Sequence, residues 1–183
     1  GSALLLAATF SATATMAGPR MLVDVNTLQV IEHEDAFQRG YPASLTKLMT
    51  AYTVFRAVKA GEITLDSPVT MSKHAAAEPP SKMYFKPGQR MTLDSALKII
   101  LVKSANDVSV AIAESISGSE PAFVERMNAE ARRIGMSSSR FINPNGLPGK
   151  GQYTTARDLA VLAVTLKREF PQYASYFALE GFT

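Results

Sequence analysis

Ser44 and Lys47 stand three residues apart in Tyr41-Pro42-Ala43-Ser44-Leu45-Thr46-Lys47, and the two residue types together imply a definite chemistry. A serine hydroxyl is a weak nucleophile until a base takes its proton. Lysine serves as that base only where burial or a cationic neighbour lowers its pKa enough to keep part of it neutral. At this spacing a hydroxyl and an amine share one helical face. A helix N-terminus adds unpaired N–H groups that favour an oxyanion formed where the serine attacks. The pattern is loose, since Ser95-Ala96-Leu97-Lys98 repeats it. That second copy lies inside an apolar helical run, lacks a loop-to-helix entry and reads as ordinary helix.

Ser104-Ala105-Asn106-Asp107 follows sixty residues after Ser44 and is the chain's single Ser-x-Asn. It breaks a helical pattern, so Ser104 and Asn106 are placed on a tight link between two helices, where both reach one pocket edge. The bland alternative is that they cap the helix break.

The elements that must position these residues follow from local pattern. Pro42 fixes its own φ and pushes Tyr41 towards an extended conformation, so a loop ends there and a helix starts. Leu45, Leu48, Tyr52 and Phe55 recur at helical spacing, which predicts a helix from Ser44 to about Ala60, stopped at Gly61. Upstream, Met21–Val25 and Gln29–Ile31 predict a hairpin. Downstream, Val69–Met71 reads as a short strand, Glu78–Ser81 as a loop and Lys86–Gln89 as a turn. Thr92 N-caps a helix through Leu101, and a second helix runs from Val108 to about Ile116. Ser119-Glu120-Pro121 opens another, with Phe123, Met127 and Ile134 inward and Gly135 at its end. Residues 141–151 form a loop dense in Gly, Pro and Asn, in which Lys150, like nearby Tyr153, reads as a surface residue. Thr155–Asp158 has the form of a capping box opening a last helix, which Pro171 ends.

The chain of 183 residues is one domain's worth, and its 46% hydrophobic content supports a substantial core. The net charge of +3 is scattered, which gives no basis for nucleic-acid binding. With no cysteine, disulfides and thiolate catalysis are excluded. The two histidines, His33 and His74, lie in no ligand-like pattern. No metal or cofactor is expected. Gly1-Ser2 has the form of a cloning scar, and the apolar run Ala3–Phe10 followed by small residues through Ala17 resembles a secretory signal without its basic start. The same run also fits a first buried strand or helix. Residues 1–17 are set apart on this basis, with 18–183 as the folded unit.

Ser-x-x-Lys followed by Ser-x-Asn is the order found in penicillin-recognising serine enzymes, with Ala105 here in place of their aspartate. The fuller strings Pro42–Lys47, Phe85-Lys86-Pro87-Gly88, Ser104–Asp107 and Gly151–Asp158 resemble the low-molecular-mass D-alanyl-D-alanine carboxypeptidases, peptidase family S11. The resemblance implies an α/β (α+β) penicillin-binding protein or β-lactamase-like fold, an antiparallel sheet flanked by helices with a mainly helical subdomain. It implies acyl transfer on the D-Ala-D-Ala end of peptidoglycan stem peptides, β-lactam binding, and export by a secretory signal to the periplasm or cell envelope. By carry-over, Ser44 is the nucleophile, Lys47 its proton acceptor, Ser104 the shuttle to the leaving amine and Asn106 a substrate-binding residue. Between Arg140 and Arg157 there is no carboxylate of the kind β-lactamases use for deacylation, so slow penicillin release is expected. The family's Lys-Thr-Gly and its later strands do not occur. The expectation is thus a partial transpeptidase-like domain, with a C-terminal segment or second chain completing the sheet, and little activity alone. D,D-endopeptidase action and non-catalytic peptidoglycan or partner binding are the competing readings.

Overall fold

A computed structural model describes residues 18–179 and Gly181; the signal-like stretch 1–17 lies outside the described residues. Strands β1 (Arg20–Val23) and β2 (Val30–Glu34) form the expected antiparallel hairpin, Arg20 facing Glu34 and Val23 facing Val30. Its turn is built on Asp24, whose carboxylate accepts the N–H groups of Asn26 and Thr27 at 2.8 Å each, an Asx turn. Those bonds hold the Asp24 carboxyl below its usual pKa. Every residue of β2 is exposed, Val30 and Ile31 included. This two-stranded sheet is the incomplete sheet expected from the sequence.

Helix α1 (Thr46–Lys59) runs through the centre of the molecule, with Met49 and every residue from Ala51 to Phe55 buried. A helix enclosed on all sides need not carry an apolar stripe, which explains why the stripe predicted for it is imperfect. Tyr52 and Phe55 are fully buried, but Leu45 is half exposed in the turn before the helix, and Thr50 and Thr53 are buried instead. Each threonine hydroxyl is satisfied, Thr53 by Met49 O at 2.8 Å and Thr50 by Pro144 O at 2.7 Å. An aromatic group closes the far end of α1, where Phe55 stacks on Tyr173 at 4.2 Å between centroids and meets Phe170 at 5.5 Å. Tyr173 and Tyr176 come from a 3₁₀ segment, Pro171–Ala178, near the end of the described chain.

The helical part comprises α3 (Leu93–Val102), α4 (Asn106–Ser117) and α5 (Glu120–Arg133), with α6 (Ala156–Glu169) on the other side of α1. Strands β3 (Pro68–Thr70) and β4 (Arg90–Thr92) pair antiparallel beside it. Neither β4 nor the one-turn helix α2 (Lys73–Ala76) was legible in the sequence, because pieces of three or four residues carry too little periodicity. The caps match expectation: Thr92, Ser119 and Thr155 accept the N–H groups of Ser95, Ala122 and Asp158. Asp158 departs from a capping box. Its buried carboxylate receives Ser138 N at 2.8 Å and Ser139 Oγ at 2.7 Å, tying down the chain ahead of residues 141–151. Among the described residues no helix is long and apolar enough to cross a membrane.

The irregular segment between β3 and β4 is held by one buried acid. Asp107, fully buried, accepts Met83 N at 3.0 Å, Tyr84 N at 3.1 Å and Val108 N at 2.8 Å. Replacing it with alanine takes the acceptor from three backbone donors, one of them on the buried Val108. The expected cost is about 3 kcal/mol, a fall in Tm of roughly 6–12 °C for a domain of this size. Calorimetry on Asp107→Ala checks this; an unchanged Tm would mean the 83–84 segment contributes nothing to the fold.

Candidate active site

The entry to Ser44 is fixed from behind. Gly40 and Thr154 exchange backbone hydrogen bonds at 2.9 Å in both directions, and Arg157 N donates to Ala36 O. The string Gly151–Asp158 thus anchors the loop that delivers the serine. Ala43–Leu45 form one 3₁₀ turn before α1, not the first α-helical turn. Ser44 remains at a helix start, where backbone N–H groups lack intrahelical acceptors. Ala43 has φ +48°, and Ser104, in the link between α3 and α4, has φ +55°. Left-handed backbone at a residue with a Cβ costs of order 1–3 kcal/mol and persists only where its surroundings enforce it. Ala43 and Ser104 bring two of the five such non-glycine residues among those described to this one site.

Ser104 Oγ lies 3.0 Å from Ser44 Oγ. Lys47 Nζ donates to Asn106 Oδ1 at 3.0 Å and to Asn145 O at 2.6 Å. The four candidates therefore converge, but in two pairs: the serines bond each other, and Lys47 bonds Asn106. Ser44 is exposed, Ser104 half-buried, and Lys47 only 3% exposed. Burial lowers the Lys47 pKa from its ordinary 10.5 to about 8. At pH 7 roughly a tenth of such an amine is neutral. A neutral amine has two N–H donors and one lone pair. The two carbonyl oxygens occupy both donors, which leaves the lone pair as the amine's only unassigned position.

Asn106 is 5% exposed and spent at both ends, its Nδ2 donating to Pro79 O at 3.1 Å while Oδ1 takes Lys47. In this structure it orients Lys47. Neither Ser104 nor Asn106 caps α4, whose N-cap is Ala105 with no side-chain bond. The helix-break reading of the pair therefore fails. The decoy copy is inert as expected: Ser95 N is taken by the Thr92 cap and Lys98 pairs with Asp94 at 2.7 Å.

The site opens into a cavity of about 600 Å³ lined by Tyr41, Ser44, Leu45, Lys47, Leu101 and Ser104 among others. Among the described residues, Lys47 is the only charged group in that lining. Tyr153 lies under the Arg39 guanidinium, 4.5 Å from it, and outside this lining. Among the described residues no group of three or more His, Asp or Glu could hold a metal ion.

Sequence reasoning missed Asn145 and Gly146. Asn145 contributes through its backbone, which no residue-type motif records. Gly146, at φ +87°, packs so closely on the serine turn that a Cβ there would lie 1.9 Å from Ala43 O. The Asn-Gly pair inside a Pro-rich loop was the available signal, since that pair marks positive-φ turns.

An exposed serine hydrogen-bonded to a second serine, above a buried lysine with a lowered pKa, fits the strings noted in the sequence, and comparison with known proteins agrees. The pattern of the D-alanyl-D-alanine carboxypeptidases matches residues 7–181. The Bacillus subtilis D-alanyl-D-alanine carboxypeptidase DacF is 39% identical over 161 residues, 88% of this chain and 40% of the relative. The crystal structure of the carboxypeptidase DacD from Francisella tularensis superposes with a TM-score of 0.86 at 38% identity, covering 88% of this chain and 39% of that one. Penicillin binding protein 5 from Haemophilus influenzae gives 0.85 at 34% identity, covering 90% and 49%. The chain thus spans less than half the length of these relatives. By match length, identity and superposition, the chain belongs to the D-alanyl-D-alanine carboxypeptidase family, peptidase family S11.

Proposed function

We propose that the protein is a serine D,D-carboxypeptidase that removes the terminal D-Ala from peptidoglycan stem peptides through an acyl-enzyme and is acylated by β-lactams. Ser44 Oγ attacks the carbonyl carbon of the penultimate D-Ala, and its proton passes to the Lys47 lone pair. Ser104 relays a proton to the departing D-Ala nitrogen, because an amide nitrogen must be protonated as its bond breaks. Asn106 holds Lys47 and, on exchanging its Pro79 contact, offers Nδ2 to the substrate amide. Water then releases the acyl group with Lys47 again as base. A β-lactam follows the same first step, but its amine stays tethered to the acyl group, and slow hydrolysis follows.

The observation that carries this reading is the Ser44–Ser104 hydrogen bond of 3.0 Å at the mouth of a cavity floored by the buried Lys47. Residues 1–183 contain no Lys-Thr-Gly, so the substrate carboxylate site and the remaining sheet strands are proposed to come from a further segment or a second chain. This stretch alone should have little activity. A substrate in the cell wall places the protein in the periplasm or cell envelope, reached by a secretory signal.

Labelled penicillin tests the proposal on the full-length gene product, with mass spectrometry locating the adduct. The expected result is one adduct, on the peptide carrying Ser44. Ser104→Ala should acylate about a hundredfold more slowly at unchanged Tm. Absence of any adduct, or an adduct elsewhere, would sink the assignment.

A further inference from the structure

Both hydrogen-bond acceptors of Lys47 are fastened to the same four-residue stretch, Glu78–Ser81. Asn106 Nδ2 donates to Pro79 O at 3.1 Å and Asn106 N to Ser81 O at 2.7 Å. Asn145 Nδ2 donates to Glu78 Oε2 at 2.8 Å, while Asn145 Oδ1 accepts Leu147 N at 3.0 Å. The stretch is itself pinned, at one end by Glu78 N to Ala75 O and at the other by Asp107 holding residues 83 and 84. Of the three links from Lys47's acceptors to this stretch, two join Asn106 to the backbone carbonyls of Pro79 and Ser81. The third depends on a single half-buried side chain, Glu78, which sequence reasoning passed over as loop.

We propose that Glu78 is a positioning residue for the base: its carboxylate oxygen holds the Asn145 side chain so that the Asn145 carbonyl meets Lys47 Nζ. Asn145 is 3% exposed, and its side chain is gripped from two directions, by Glu78 on the nitrogen and by Leu147 N on the oxygen. With both ends fixed, the peptide plane carrying Asn145 O has little rotational freedom, and the 2.6 Å bond to Lys47 is set in place. Without Glu78, Nδ2 loses its partner and the side chain is held at one end only. The carbonyl can then turn from Lys47, and the amine loses one of the two partners that fix its position. Proton transfer is steep in geometry, and a displacement of about 1 Å in a reacting group costs about a hundredfold. The acceptor oxygen matters here, not the negative charge. Burial accounts for the lowered Lys47 pKa with no contribution from Glu78.

This inference rests on Lys47 acting as the base. Its test is stopped-flow acylation of the full-length gene product by a chromogenic cephalosporin, separating the acylation rate constant from the dissociation constant of the preceding complex. Glu78→Ala should lower the rate constant about tenfold to a hundredfold and leave the dissociation constant within twofold. Glu78→Gln keeps an oxygen acceptor for Asn145 Nδ2 and should stay within twofold of wild type in both, with its pH–rate midpoint unmoved. A merely structural role would lower Tm in the alanine variant and leave the rate constant alone; that result overturns the proposal. So does a Gln variant as slow as the Ala variant, which would assign the effect to charge. Wild-type protein that never acylates at Ser44 would remove the base reading and this one with it, an outcome distinct from normal acylation in Glu78→Ala.

Discussion

Lys47→Arg should abolish practical acylation, lowering its rate by about a thousand- to ten-thousandfold, the range a general base contributes. Arginine keeps the positive charge, the length and donors for Asn106 Oδ1 and Asn145 O, but it does not deprotonate in proteins. The substitution therefore removes the lone pair and little else. In the wild type the reactive form is the neutral amine. Below about pH 8 the rate should rise roughly tenfold per pH unit, then level off above it. The lowered pKa also fixes a stability trend. Between pH 8 and 10.5 the unfolded chain holds more protons on this lysine than the folded one, so stability relative to Lys47→Met should rise with pH across that window. Below it the buried ammonium is a standing penalty of about 3 kcal/mol, the equivalent of the shift. Acylation rates and denaturation midpoints from pH 6 to 11 check both statements. A flat pH–rate profile, or an active arginine variant, would require a different base.

The chemistry in this chain was legible where it is written in residue types at fixed spacing, and hidden where it is written in backbone. Ser44, Lys47, Ser104 and Asn106 act through side chains at or just before helix starts; spacing puts Ser44 and Lys47 on one face, and the family resemblance, not spacing, implied that the other two join them. Asn145 reaches Lys47 through a carbonyl, which every residue possesses, so nothing in its identity marks the contact. Glu78 and Pro79 belong to a loop whose course depends on Asp107, 28 positions beyond Pro79 in the sequence. The fold shows the same division. The hairpin, the capped helices and the Gly135 and Pro171 stops follow from local rules. The central burial of α1 does not, because a helix wrapped by α3, α4, α5 and α6 buries Thr50 and Thr53 as readily as leucine. What a residue does there depends on carbonyls that neighbouring loops bring to it.

Gly146→Ala should damage stability and chemistry together, although it adds one methyl group far outside the recognisable motifs. That methyl would lie 1.9 Å from Ala43 O and 2.6 Å from Ala43 C. Both are backbone atoms, so no side chain can swing aside, and φ +87° strains any residue with a Cβ. Nor can the loop retreat cheaply. Gly146 N is held by Asn143 Oδ1, Leu147 O by Asn143 and Gln152, and Pro144 O by Thr50 of α1. Whichever side yields, the site loses: a shift of the loop carries Asn145 O from Lys47, and a shift of the turn carries Ser44 from Ser104. The expected cost is about 4 kcal/mol, a Tm lower by roughly 8–16 °C, with acylation slowed about a hundredfold in the protein that remains folded. Gly61→Ala is the matched control. Gly61 also has positive φ, at +73°, but a Cβ there meets nothing within 4 Å, so about 1 kcal/mol and no change in acylation are expected. If Gly146→Ala and Gly61→Ala behaved alike, backbone conformation alone would explain both, and the close packing of this loop on the serine turn would have no part in holding Ser44 and Lys47 in register.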